Sequence, residues 1–339
     1  MSLVNAVDLE ISSVAFQAAH PELHHYTNAD GLKGIVSSNT IWATHFSDLN
    51  DSTEVTHLRQ AFAEAMAPRY EELIARQNLS EELRQLYERD GGSQKLARDF
   101  VDSLYGATFD GNSELTSMAA FIASFCTHAD DQPDNRLYDR SYERENGLLS
   151  QWRSYGGADG YCIVFDTAKL SHILASEFDA RYWVHMKIDP VHYAVPGASP
   201  GTAFLALVNA GAQTLTDFFN GQRTPEMGVQ EFLIAASLFK HQGFREEQEV
   251  RVVAIPATEI MRSEALKHPE FQDKPVPDVH ARPDGVRRYV TLLDGLGVEL
   301  PIRRVIVGPS RQQTENVAFV RALLKPDIPV VPSATPWLS

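Results

Sequence analysis

Apolar and polar positions change period several times along the chain, and the changes mark out its elements. Leu23 to Tyr26 is a short run that predicts a strand, after a segment up to Pro21 whose Val14, Phe16, Ala18 and Ala19 keep no clean period. Thr27-Asn28-Ala29-Asp30 then opens a helix. Asn28 or Thr27 offers a capping oxygen, and Leu32, Ile35 and Val36 recur behind it at helical spacing. Ile41-Trp42-Ala43-Thr44, entered through the turn residues Ser38-Asn39, predicts the next strand. From Asp51 to about Tyr105 the chain becomes rich in Ala, Leu, Glu and Arg, broken at Pro68, Asn78-Leu79-Ser80 and Gly91-Gly92, which predicts a helical insertion over about 52–115.

Met118 to Cys126 is apolar enough for a buried strand or a short helix. The polar stretch His128 to Asn146 behind it predicts a long loop, of a length often functional in compact domains and so a lid candidate. Ser150 to Asp166 places Trp152 and Tyr155 before a glycine-rich turn and a β-rich run. Helices are expected at Thr167 to Ser176 and about Thr202 to Lys240, and strands at Glu247 to Ile255, Arg288 to Leu293 and Arg304 to Val307. The proline-laden region at about 257–287 predicts irregular structure. Ser310 to Leu324 is a helix with Val317, Val320 and Leu324 on one face and Ser310 with Gln313 as a capping box. The sum is an α+β chain, read as a single elaborated domain over 1–339.

Composition narrows the function classes. With 43% hydrophobic and 22% charged residues among 339, the chain is globular. Forty-five acidic against thirty basic residues give a formal charge of −15, which disfavours non-specific binding to phosphate backbones and anionic lipid. Arg282, Arg287 and Arg288 form a small basic patch in a loop, a solvated edge in the plainest reading. No basic-then-apolar leader and no membrane-length apolar run is present, so a cytoplasmic location is expected, with Cys126 and Cys162 as buried free thiols.

Three clusters carry candidate chemistry: His25-Tyr26-Thr27, Trp152 with Tyr155, and Glu247-Gln248-Glu249-Val250-Arg251. On a strand Glu247, Glu249 and Arg251 share a face, either as a solvated ladder of charges or as carboxylates held rigidly at a cleft. His25 reads alternatively as a strand-end histidine with a satisfied hydrogen bond, Thr27 as a helix cap, and Trp152 and Tyr155 as core packing. His24, His25, His45, His57 and the pair Asp189 with His192 offer metal-ligand types, but no spacing matches a ligand motif, and no metal site is assigned. Gly308-Pro309-Ser310 before a helix is a capped turn or a phosphate cradle.

In order, Leu23-His24-His25-Tyr26-Thr27, Gly31-Leu32-Lys33-Gly34-Ile35, Ile41-Trp42-Ala43-Thr44, Leu49-Asn50-Asp51, Leu149-Ser150-Gln151-Trp152-Arg153-Ser154-Tyr155-Gly156 with Gly160-Tyr161-Cys162-Ile163-Val164-Phe165-Asp166, Phe239-Lys240-His241 with Phe244, Glu247-Gln248-Glu249-Val250-Arg251 and Ile306-Val307-Gly308-Pro309 resemble the bacterial family DUF2971. More distantly, His25-Tyr26-Thr27 is similar to the His-x-Thr/Ser opening of poly(ADP-ribose) polymerase-type ADP-ribosyltransferases. Glu247-Gln248-Glu249 is similar to the Glu-x-Glu strand of arginine-directed ones, whose Ser-Thr-Ser-like strand is reduced here to Ser124-Phe125-Cys126.

That second resemblance implies an ADP-ribosyltransferase-like mixed-sheet core and NAD as substrate. The activity implied is transfer of ADP-ribose to a macromolecular acceptor, or hydrolysis of NAD. It implies Glu249 as the carboxylate that stabilises positive charge on the ribose carbon and Glu247 as the group that orients or deprotonates the acceptor. His25 and Thr27 would hold a ribose, and Tyr26, Trp152 or Tyr155 would stack on nicotinamide. The competing expectation is a non-catalytic binding or regulatory module on the same fold.

Overall fold

The computed structural model describes residues 10–49, 53–77, 79–109, 118–130, 137, 139–156, 159–194, 202–221, 229–269 and 274–336. Asn50 and Asp51 of the Leu49-Asn50-Asp51 motif lie outside the described residues, as do 131–136 and 138 of the expected loop. After α1 (Val14–Ala19), β1 (Glu22–Asn28) leads into α2 (Ala29–Ser38), and the predicted cap forms: Asn28 Oδ1 accepts from Gly31 N at 2.9 Å. Asn39, in the left-handed region at φ 57°, ends the helix and turns the chain into β2 (Ile41–His45).

The charged stretch forms α3 (Thr53–Ala75), α4 (Glu81–Arg89) and α5 (Gly92–Phe109). The expected break at Pro68 does not occur. Leu58, Phe62, Met66 and Tyr70 recur every four residues, all buried, so packing on both sides of the proline holds α3 continuous. The strand-or-helix ambiguity before Cys126 resolves as β3 (Phe121–Cys126).

Beyond it come α6 (Ser141–Asn146), α7 (Leu149–Gln151), a π-helical turn Trp152–Gly156, β4 (Gly160–Asp166) and α8 (Thr167–Ala180). Two strands that the pattern does not announce follow, β5 (Trp183–Pro190) and β6 (His192–Ala194). The long helix expected to Lys240 is two, α9 (Thr202–Phe219) and α10 (Val229–Leu238), followed by a third unannounced strand, β7 (Phe239–His241). Then come β8 (Glu249–Pro256), α11 (Glu259–Ala265), β9 (Val279–Ala281), β10 (Arg288–Leu292), β11 (Ile302–Val307), α12 (Gln313–Leu323) and β12 (Val330–Pro332). The stretch expected to be irregular thus holds both a short helix, capped by Thr258, and an edge strand.

The Ser310–Gln313 capping box does not form. The Gln313 amide instead donates to the carbonyls of Val307, Gly308 and Ser333 at 3.3, 3.2 and 2.9 Å, tying the end of β11 to the end of β12.

The chain divides into two compact units. The first comprises Met1–His45, Phe121–Pro190 and Arg245–Ser339, the second Phe46–Ala120 and Val191–Phe244. The first unit is a mixed sheet ordered β12-β11-β4-β1-β3-β2-β10-β9, with β8 also paired to β3 and β5 to β8. Most ladders are antiparallel; β11 and β12 are parallel. α2, α8 and α12 pack on this sheet, and Leu32, Leu170, Leu174 and Val320 on the helices are buried, as are Leu23, Ile163, Phe165 and Val305 on the strands. The second unit packs α3, α5, α9 and α10 together and pairs β6 with β7 in parallel. Among the described residues no helix is long and apolar enough to cross a membrane.

Candidate functional site

β3 sets the geometry of the first unit because it changes partners. One flank pairs with β8 throughout, from Phe121 opposite Ala254 to Cys126 opposite Glu249. The other flank pairs with β2 at Phe121 and Ile122, then with β1 at Cys126. Ser124 lies at the switch. Its carbonyl is reached by the His25 imidazole, whose Nδ1–H donates at 2.9 Å, so a side chain satisfies a backbone group beside the parting strands. Burial lowers the His25 pKa, which favours the neutral ring.

Alternation along each strand and pairing between them sort the candidate residues by face. Arg304, Val164, His24, Cys126 and Glu249 form one cross-sheet row, and Ser124, Arg251 and Asp189 form the next row on that face. Glu249 and Arg251 are buried, at 6% and 3% exposure, and bonded in a fork: Arg251 Nε donates to Glu249 Oε1 at 2.7 Å and Nη2 to Oε2 at 3.1 Å. Asp189, opposite Arg251, is part-buried, and desolvation raises its pKa against the pull of Lys187.

The expected Glu247-to-Arg251 ladder is corrected at its first member. β8 starts at Glu249, and Glu247 belongs to the preceding 3₁₀ turn Gln242–Glu247, off the strand. Between them Gln248 sits at φ 45°, a conformation that costs on the order of 1–3 kcal/mol in a non-glycine residue. His128, just past β3, sits at φ 47°. The two strained residues are knitted together: Thr127 N donates to Gln248 O at 3.2 Å and Gln248 Nε2 to Ala129 O at 2.9 Å.

The same alternation sends His25 and Thr27 to the opposite face. His25 meets Phe125 at 5.5 Å between ring centroids, and the Thr27 hydroxyl occupies the space a Cβ on Gly31 would need. The structure therefore does not bring His25 and Thr27 together with Glu249. Tyr26 lies on the Glu249 face but is buried. Its hydroxyl accepts from Leu148 N and donates to His128 Nε2, both at 2.8 Å. Trp152 is buried too, its ring edge-on to Tyr26 at 4.8 Å and its Nε1 donating to Asn146 O at 3.0 Å. Tyr26 and Trp152 share a cluster with Cys126, Cys162, Val164 and Ile306. Tyr155, on the π-helical turn, is 44% exposed.

Sequence reading missed the polar hub beneath these rings. His24 Nε2–H donates to Arg144 O at 3.2 Å, Arg144 donates to His128 O and to Asp130, and Arg304 forks onto Glu22. Burial, with nearby Arg304, brings the His24 pKa down to about 4, and burial takes His128 well below the usual histidine value. No spacing motif links Glu22 and His24 on β1, His128 past β3, Arg144 on α6 and Arg304 on β11, which are joined by hydrogen bonds between distant parts of the chain. Among the described residues no group of three or more His, Cys, Asp or Glu is arranged to hold a metal ion.

Compared with known proteins, residues 151–252 match the model of a family described as a protein of unknown function, DUF2971. That span runs from the π-helical turn to the middle of β8 and includes Trp152, Tyr155, Glu247, Glu249 and Arg251. No match is found among curated proteins, and none among solved structures.

Proposed function

We propose that this protein is an ADP-ribosyltransferase-like enzyme that breaks the nicotinamide–ribose bond of NAD and passes ADP-ribose to a macromolecular acceptor or to water. The observation that supports this is Glu249: a buried carboxylate, oriented by a two-pronged guanidinium, at the head of a strand entered through a strained residue. As the bond breaks, nicotinamide leaves with the electron pair and positive charge builds on the ribose carbon. A fixed carboxylate stabilises that charge without having to reorganise. The acceptor, or water, then attacks the carbon and gives up a proton, for which Glu247 on the neighbouring turn is the proposed recipient.

In this reading NAD lies on the Glu249 face. Tyr155 provides the exposed ring for nicotinamide, since Tyr26 and Trp152 are covered, and His25 and Thr27 support the sheet from behind. One observation favours a second reading, a non-catalytic binding or regulatory module: both Glu249 oxygens already accept from Arg251, as in a structural ion pair. The two are separated by measuring nicotinamide release and NAD binding side by side for the wild type and Glu249→Gln. The enzyme reading expects release by the wild type, a loss of at least about a hundredfold in the variant, and retained binding. NAD binding without release supports the module, and absence of both removes NAD from the account.

A further inference from the structure

A second feature of the first unit lies at the far side of the sheet, on the β2–β10–β9 edge. Trp42 and Tyr289 stack, centroids 4.1 Å apart and planes 22° from parallel, and His280 adds a third ring 5.4 Å from Tyr289. Trp42 is 40% exposed, Tyr289 part-exposed and His280 exposed. In register, His280 faces Tyr289 and Tyr289 faces Thr44, so the rings cross three strands on one face.

The β9–β10 turn adds guanidinium groups to this aromatic row. Arg282 is anchored by Nη2 to Thr44 Oγ1 at 3.1 Å, and its backbone closes the turn onto Arg287 at 2.7 Å. Among the described residues its buried Nε has no hydrogen-bond partner, and burial, then Arg287, disfavour its charge against the support of Asp284. Arg288 reaches back to His45. The plain reading of these arginines as a solvated edge leaves the exposed ring stack beside them unexplained.

We infer that the Trp42–Tyr289–His280 row with Arg282 is a docking surface for single-stranded nucleic acid. Trp42 and Tyr289 already stack on each other, so unstacked bases add to the exposed Trp42 and His280 at the two ends of the row, and adjacent guanidiniums take the phosphates between them. The rings are spread over three strands on an open surface, which suits a chain of nucleotides better than one enclosed nucleotide. A flat strand edge presents no helix to enter the groove of a duplex. The −15 charge of the whole chain gives no long-range attraction, so binding here rests on contact stacking and a few local ion pairs. The inference does not depend on the NAD reading.

The experiment is fluorescence anisotropy with labelled RNA and DNA strands of about twelve nucleotides, against the matching duplexes, for the intact wild type, Trp42→Ala, Trp42→Phe and Arg282→Ala. Single strands should bind at least about tenfold more tightly than duplex, and Trp42→Ala should lose about five- to a hundredfold while Trp42→Phe keeps most of the affinity. Arg282→Ala should weaken binding and flatten the salt dependence, whose logarithmic slope should be no steeper than about −2 for three phosphate contacts. Absence of binding, equal affinity for duplex, competition by mononucleotides as effective as by strands, or insensitivity to both Trp42→Ala and Arg282→Ala would overturn the inference. Circular dichroism of each variant shows that a loss of binding is not a loss of fold.

Discussion

At the scale of single residues, burial decides what each polar side chain is worth. Glu249 and Arg251 lie two apart on one strand with almost no exposure, so removing one partner strands the other's charge in a poorly solvating place. Arg251→Ala is expected to cost about 3–5 kcal/mol of unfolding free energy, read as a lowered denaturation midpoint. An unchanged midpoint would show that Glu249 does not need the guanidinium. His25→Leu should cost about 1–3 kcal/mol by leaving the Ser124 carbonyl unpaired, with no effect on NAD binding if the nucleotide lies on the other face. The pattern of residue types pointed to both positions. Alternation allowed the Glu249–Arg251 pair as one of two readings, but it did not show that the pair would be buried or that His25 would reach the Ser124 carbonyl of β3, because those depend on strand pairing that local composition does not carry.

At the scale of elements, the π-helical turn is held by two glycines. Gly147 has φ 77°, and a Cβ there would lie 2.3 Å from the Trp152 ring; on Gly308 it would meet the same ring and the Gly160 carbonyl at 2.9 Å. Gly147→Ala therefore meets a backbone penalty and a steric one together. It is expected to lower stability by about 2 kcal/mol or more and to shift the Trp152 emission by displacing the indole from its pocket. Wild-type emission and melting in that variant would contradict this packing. Of the elements themselves, α2 with its Asn28 cap, β2, β4 and α8 were legible because one local signal, a cap or a dense apolar run, dominated each. β5 was not. Its inward Met186 and Ile188 alternate with His185, Lys187 and Asp189, and β8 is what selects the extended form.

At the scale of the whole molecule, the buried histidines make stability depend on pH. His24 and His185 each have a pKa of about 4 in the fold against 6.5 when exposed, because burial disfavours the charged ring. Between those values the unfolded chain binds protons that the fold refuses, so stability is complete above about pH 6.5 and falls toward pH 4. A ring as buried as His24 should account for on the order of 2 kcal/mol of that loss by pH 5. Glu177 and Asp189, raised by burial, act in the opposite sense, so the His24 contribution is best isolated by difference. The urea midpoint of His24→Gln should drop less than that of the wild type between about pH 7 and pH 5, and an identical drop would exclude His24 as a source. The sequence by itself determined the α+β alternation, the helical character of the charged stretch, the acidic balance and the residues worth testing, since these follow from short-range pattern and composition. Only the tertiary structure decided which of those residues meet. β3 changes partners and pairs with β8 in one register, so the Glu249–Arg251 pair that alternation allows is buried with Ser124 and Asp189 opposite Arg251, while His25 and Thr27, one residue either side of Tyr26, lie on the other face of the sheet.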